Sequence, residues 1–200
     1  MSTNFANSET KRNLMRAFAG ESQARNRYTM AAAKANNQKL PVIEAVFLFT
    51  ADQEKEHAEI FMKHLKDHDG ETIQIDGTYP VETTDSILQL LKNAEHNENE
   101  EFDTVYKTFA DVAEQEGFRT IAASFRNIAK IEKTHAERFQ RFAEFMEKNQ
   151  LFVSETECGW MCLNCGHIHT GKEAPQICPV CQHERGYFVR VVLSPYTCVC

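Results

Sequence analysis

The sequence predicts a mostly helical fold: a four-helix bundle followed by a small cysteine-knuckle β domain. Three observations carry that prediction. Four long stretches space their apolar residues as helices do, two of them place a Glu-x-x-His pair on the apolar face, and all seven cysteines fall after residue 157. Residues three apart on a helix share a face, so Glu54 with His57, and Glu132 with His135, each offer an oxygen and an imidazole nitrogen to one point. A bundle that donates Glu-x-x-His from two helices and single glutamates from the other two can hold a pair of metal ions.

Asn7 or Ser8 suits the cap of a first helix running to about Asn36, with Glu9 favourably placed in its first turn. Its inward stripe reads Leu14, Phe18, Glu21, Arg25, Tyr28, Ala32, so a carboxylate interrupts an apolar face. Pro41 opens a second helix to about His68, with the stripe Ile43, Phe47, Thr50, Glu54, His57, Phe61, Leu65. Residues 69 to 83 contain Gly70, Gly77 and Pro80, too broken for a helix and too long for a simple turn, and fit a crossover along the bundle. Thr84 or Asp85 caps a third helix with the stripe Ile87, Leu91, Ala94, Glu95, Glu98, Phe102, Val105, Phe109, Val112, ended by Gly117. A fourth helix from about Phe118 to Glu147 follows, with Ile121, Phe125, Ile128, Glu132, His135, Phe139, Phe142 and Met146 inward. There is a weak internal repeat. Glu54 to Glu132 and His57 to His135 are each 78 positions, and Glu21 to Glu98 is 77; spacing alone leaves open whether Glu95 or Glu98 is the counterpart of Glu21.

These boundaries give a bundle over residues 1–148, a linker over 149–157 and a second domain over 158–200, in which Gly186 to Leu193 alternates as a short strand. Composition excludes several classes of function. With 42% hydrophobic and 26% charged residues the chain is an ordinary globular one, and a net charge of -7 without a basic stripe argues against a nucleic-acid partner. Met1 to Thr10 lacks the basic start and apolar stretch of a secretory signal, and no run reaches the ~18 apolar residues of a membrane span. These features predict a cytoplasmic protein with no membrane partner, where clustered cysteines point to metal before disulfides.

A lone Glu21 with Arg25 near it reads as a solvated or paired carboxylate. Five glutamates and two histidines on four stripes read differently, because burying so many ionised carboxylates without partners costs more than a domain can tolerate and metal ions remove that objection. Oxygen-rich ligation with one imidazole per ion favours iron or manganese over zinc. Two redox ions side by side can deliver two electrons to one bound oxygen species, the chemistry that cleaves a peroxide bond. Tyr28 is either a hydrogen-bond donor near the metals or a packing tyrosine. In the second domain Cys162-x-x-Cys165 and Cys178-x-x-Cys181 set four sulfurs at tetrahedral spacing, and Gly166 tolerates the positive φ such a turn needs. Taken alone, that spacing does not separate iron from zinc. Cys158, Cys198 and Cys200 are surplus and read as free thiols, with Cys158 a competing ligand.

Phe18-Ala-Gly-Glu21-Ser-Gln-Ala-Arg-Asn-Arg-Tyr28, Glu54-x-x-His57, Glu95-x-x-Glu98, Glu132-x-x-His135 and the knuckles from Trp160 to Cys181 together resemble the rubrerythrin family over nearly the whole chain. The resemblance implies a ferritin-like di-iron bundle and a rubredoxin-like domain whose four cysteines bind one iron, with no haem and no flavin. It implies that Glu54 and Glu132 bridge the irons, that Glu95 and His135 bind one, and that Glu21 with Glu98 or His57 binds the other. It further implies reduction of hydrogen peroxide to water in the cytoplasm, with electrons from an external rubredoxin or NAD(P)H-dependent reductase, in a head-to-tail homodimer. Asp103 stands where a second site tyrosine is expected, and the tail from Ser194 to Cys200 matches nothing. The rival functions are a ferritin-type ferroxidase and a zinc-binding docking module without electron transfer.

Overall fold

A computed structural model describes residues 4–195. Cys198 and Cys200 lie outside the described residues. Helix α1 (Glu9–Asn37) starts at Ser8, whose hydroxyl accepts the Lys11 backbone N–H at 3.1 Å. Lys39, at φ 60°, turns the chain into α2 (Pro41–His64), with proline in the first turn. After the crossover come α3 (Ile87–Glu100), capped by Ser86, then a π-helical turn at Glu101–Val105, α4 (Tyr106–Gln115) and α5 (Arg119–Glu147). The backbone stays helical from α3 through the π turn into α4, so these form the third helix of the bundle. Helix α1 packs chiefly on α2, and α3 and α4 on α5.

The crossover runs beside α1 and is tied to its cationic face. Lys11 pairs with Glu71 at 2.7 Å, Arg16 with Asp76 at 2.6 Å, Arg27 with Glu82 at 3.0 Å and Lys34 with Asp85 at 2.9 Å. Of these, only Arg27–Glu82 is buried on both sides, and Asn97 also donates to Glu82, at 2.7 Å. At the opposite end, Glu116 accepts the backbone N–H groups of Glu9 and Thr10, which α1 itself leaves unsatisfied.

The π turn changes which residues face inward. A π turn holds one residue more than an α turn, so the faces on either side of it are out of phase. Before it, Ile87, Leu91, Ala94 and Glu98 are buried as expected; after it, the buried residues are Tyr106, Ala110 and Ala113, while Phe102, Val105, Phe109 and Val112 are only partly covered. On α1, Ala24 and Arg27 are buried and Arg25 is exposed, because Arg27 takes the partner in the crossover.

The apolar core is split into two clusters. One gathers Tyr28, Phe47, Leu91 and Phe139; the other gathers Leu14, Phe61, Tyr106 and Phe125. Every bundle helix crosses from one to the other, and the buried carboxylates and imidazoles lie between them.

The second domain is an antiparallel sheet in the order β2-β1-β3, from β1 (Val153–Cys162), β2 (Ile168–Glu173) and β3 (Phe188–Arg190). Strand β1 begins inside the stretch read as a linker, so few residues separate it from α5. The expected strand at Gly186 to Leu193 is confined to three residues between short 3-10 turns. The domain sits against the end of its own bundle: Val189 joins Val42 and Phe142 in the first core cluster. A Cβ at Gly186 would lie 2.2 Å from the Lys39 carbonyl oxygen, so only glycine permits this approach. Arg190 locks the junction, its guanidinium 3.9 Å from the Phe145 ring centroid while donating to the carbonyls of Gln150 and Val153 at 2.7 Å each.

Candidate metal centres

Six side chains meet between the two apolar clusters, and all are buried: Glu21, Glu54, His57, Glu98, Glu132 and His135. They form two quartets, Glu21, Glu54, His57, Glu132 and Glu54, Glu98, Glu132, His135, each with ligand atoms within 4.8 Å of one another. Glu54 and Glu132 belong to both. The two halves are near copies: His57 Nδ1 lies 3.2 Å from Glu54 and 2.9 Å from Glu132, and His135 Nδ1 lies 3.0 Å and 2.9 Å from the same carboxylates. The two rings are almost parallel, 15° apart, with centroids 5.6 Å apart.

The terminal carboxylates are held from behind. The Tyr28 hydroxyl donates to Glu98 Oε1 and the Tyr106 hydroxyl donates to Glu21 Oε1, which leaves the other oxygen of each glutamate facing the centre. Both phenols are pushed well above their ordinary range by burial, with Glu98 and Glu21 respectively adding to the effect, so they stay protonated donors.

The donor set fits two metal ions. Glu21 Oε2, both oxygens of Glu54 and Glu132, Glu98 Oε2, His57 Nδ1 and both nitrogens of His135 are buried without a hydrogen-bond partner. Their separations are short but their directions do not align as hydrogen bonds, as expected of atoms aimed at points between them. Protons balance the charges where metal would. Burial, with Glu54 adding, pushes Glu98 up to about 8. For the imidazoles, burial is outweighed by the neighbouring carboxylates, chiefly Glu132 and Glu54, and His57 rises to about 9 and His135 to about 12. Oxygen donors with one imidazole per quartet suit iron.

Glu95 is not in either quartet. It sits half-buried on the flank of α3 among Lys92, Glu144 and Glu147. The expected pair Glu95 and Glu98 is displaced by one turn: the second carboxylate on the site side is Glu101, in the π turn. Burial, with the charges of Glu98, Glu132 and Glu54, holds the Glu101 carboxyl well above its ordinary range. Asp103 is exposed, and Tyr106 is the second site tyrosine. A signal for both was present. Tyr28 to Tyr106 is 78 positions, the offset that relates Glu54 to Glu132, and the step from Glu98 to Tyr106 exceeds that from Glu21 to Tyr28 by the extra residue of the π turn. Glu98 is therefore the counterpart of Glu21. Glu101 has none, since its equivalent in the first half is Ala24.

The second centre is made by Cys162, Cys165, Cys178 and Cys181. The sulfurs of Cys162 and Cys181, and of Cys165 and Cys178, are 3.7 Å apart. A tetrahedral site with metal–sulfur bonds of about 2.3 Å has an edge of about 3.8 Å, so the cage is preformed. The two knuckles repeat one geometry: the N–H of Gly166 reaches the Cys162 carbonyl at 2.8 Å, and that of Gln182 reaches the Cys178 carbonyl at 3.0 Å. Gly166 has φ 77° as expected; Gln182 occupies the same left-handed position at φ 61°. Cys158 stands outside the four-sulfur group, half-buried beside Arg190. Among the described residues no helix is long and apolar enough to cross a membrane.

Comparison with known proteins agrees with this geometry. The rubrerythrin profile matches residues 12–143, and the rubrerythrin, rubredoxin-like domain matches residues 160–189. A rubrerythrin of Clostridium perfringens is 45% identical, with 90% of this chain and 93% of that protein covered. One of Porphyromonas gingivalis is 42% identical, covering 94% and 92%. A mixed-valence nigerythrin structure has a TM-score of 0.62 at 26% identity, covering 94% of this chain and 93% of its own. Desulfovibrio desulfuricans bacterioferritin, at 22% identity and a TM-score of 0.64, covers 71% and 82% and shares the fold of the bundle. The glutamate and histidine cage is accordingly a di-iron site and the four cysteines bind iron. On its sequence, its bundle and its appended knuckle domain, the chain belongs to the rubrerythrin family.

Proposed function

We propose that the chain is a peroxidase that reduces hydrogen peroxide to water in the cytoplasm: H2O2 + 2 e− + 2 H+ gives 2 H2O. The electrons come from an external rubredoxin or NAD(P)H-dependent reductase and enter at the iron held by the four cysteines. One observation carries the reading: a carboxylate-rich cage for two irons shares its chain with a preformed four-sulfur site, and an iron-storing ferroxidase has no use for the second. The irons supply a two-electron store at one point.

The residues divide the remaining work. Glu54 and Glu132, common to both quartets, would be shared between the two irons, Glu98 with His135 would hold one of them, and Glu21 would hold the other, with either His57 or Glu101 as its alternate ligand. Tyr28 and Tyr106 fix the orientation of Glu98 and Glu21 and keep one oxygen of each occupied. The apolar clusters on both sides exclude water except where Glu101 and Tyr106 meet a surface cavity. Two chains pair head to tail, so that each knuckle domain serves its partner's di-iron site.

The test is to follow peroxide and NAD(P)H together with iron-loaded protein and a reductase, without added Fe(II). Equal, continuous consumption of both is expected. Peroxide loss only in proportion to added Fe(II) would instead establish a ferroxidase, and zinc in a knuckle that takes up no electron would establish a docking module.

A further inference from the structure

The cage is closed on nearly every side: Glu21, Glu54, Glu132 and His135 have no exposed surface. A cavity of about 200 Å³ opens beside it, lined by Glu101 and by Tyr106, whose hydroxyl donates to Glu21. Its walls are mixed, with Gln23, Arg27 and Asn97 beside Ala17, Val105 and Phe109 from the bundle, and its outer wall is the crossover at Gly77 to Pro80. We propose that this cavity is the way in for peroxide and that Tyr79 is the residue that sets the size of what passes. The substrate in that statement rests on the peroxidase reading above; the passage itself rests on the geometry.

The Tyr79 side chain is placed by small residues and a double anchor. Its ring lies over Gly20, next to Glu21, where a Cβ would be 3.9 Å away, and against Gly77, where a Cβ would come to 3.0 Å of the ring. Its hydroxyl donates to the Arg16 carbonyl at 3.2 Å. The crossover is held on either side of it, by the exposed Arg16–Asp76 pair and by the buried Arg27–Glu82 pair that Asn97 completes. The ring is thus clamped between two fixed points, and 39% of the residue's surface stays exposed, as suits a side chain on the threshold of a cavity. The Tyr79 hydroxyl is pushed upward by its partial burial, so it stays a protonated donor to the Arg16 carbonyl. A water molecule occupies about 30 Å³ in the liquid, so the space admits hydrogen peroxide, with Gln23, Arg27 and Asn97 as hydrogen-bonding partners along it. A hydroperoxide carrying an aromatic ring is several times bulkier and meets Tyr79 at the outer wall.

The experiment compares the parent protein with Tyr79→Ala and Tyr79→Trp, both iron-loaded, with two readouts. The first is azide association with the oxidised di-iron form, followed by stopped-flow absorbance. The rate constant is expected to rise about tenfold in Tyr79→Ala and to fall about tenfold in Tyr79→Trp. The second is kcat/KM for cumene hydroperoxide divided by that for hydrogen peroxide, expected to rise about tenfold or more in Tyr79→Ala. Azide rates that are the same in all three proteins overturn the proposal. Azide rates that follow the size of residue 79, in proteins that turn over neither peroxide, uphold the passage and defeat the peroxidase reading. An unchanged peroxide ratio with size-dependent azide rates removes Tyr79 as the selecting residue and overturns that part of the proposal.

Discussion

Glu21 and Glu98 each aim one oxygen into the cage while a buried phenol holds the other, and Glu54 and Glu132 turn both oxygens inward. That division gives sharp expectations for single substitutions. Glu132→Ala removes a carboxylate shared by both quartets and should lose iron from the bundle outright. Glu101→Gln should keep most of the iron and lose peroxide turnover, whereas Glu95→Gln should change neither; iron analysis with steady-state kinetics separates the three. Tyr106→Phe frees a buried oxygen of Glu21 and should weaken metal affinity or activity by about ten- to a hundredfold, while Asp103→Asn leaves both intact. The central ligands were legible in the sequence because Glu54, His57, Glu132 and His135 lie on regular helices, where three positions always share a face. The acidic pair of the third helix was misplaced by one turn, from Glu98 and Glu101 to Glu95 and Glu98, because regular spacing does not contain the extra residue of the π turn. Tyr106 was missed for the same reason.

At the scale of elements, four helices, their order and the crossover were legible from apolar spacing and from glycine and proline. How the crossover is attached was not. Its partners are Lys11, Arg16, Arg27 and Lys34, polar residues that periodicity assigns to solvent, and Arg25 rather than Arg27 looked like the inward cation. Three of the four pairs have an exposed member and contribute little. Arg27–Glu82 differs, with side chains 9% and 7% exposed. Glu82→Leu leaves the Arg27 cation buried without its partner and should destabilise the protein by about 3 kcal/mol. Adding Arg27→Met should restore much of that loss. Chemical denaturation of the single and double variants measures both, and a single variant as stable as the parent would show that the pair holds nothing. Strand β1 was also hidden in part, since Val153 to Glu157 has neither an apolar run nor a turn and gains its partners only in the folded sheet.

For the whole molecule, the knuckle domain is not loosely tethered. Gly186 against Lys39, Val189 against Val42 and Phe142, and Arg190 against Phe145 fix it on the end of its own bundle. From Pro41 at that end to Glu54 is thirteen residues of α2, roughly 20 Å at 1.5 Å per residue. Electrons therefore have a long way to go inside one chain, and the proposed head-to-tail pairing would give them a shorter path. Mixing Cys162→Ser chains with Glu132→Ala chains after dissociation should restore reductase-driven turnover in the hybrid dimers, although each chain is inactive alone. Silent hybrids of proven composition would place the transfer within one chain. The near-twofold cage adds a consequence for the currency that arrives. Two irons in identical surroundings would have identical potentials, but one residue in the third helix gives a single half of this cage the Glu101 acid and the open side of the cavity. Unequal potentials separate the two charging steps, so a reductive titration followed by electron paramagnetic resonance should populate a half-reduced form above the one-half maximum of two independent, equivalent irons.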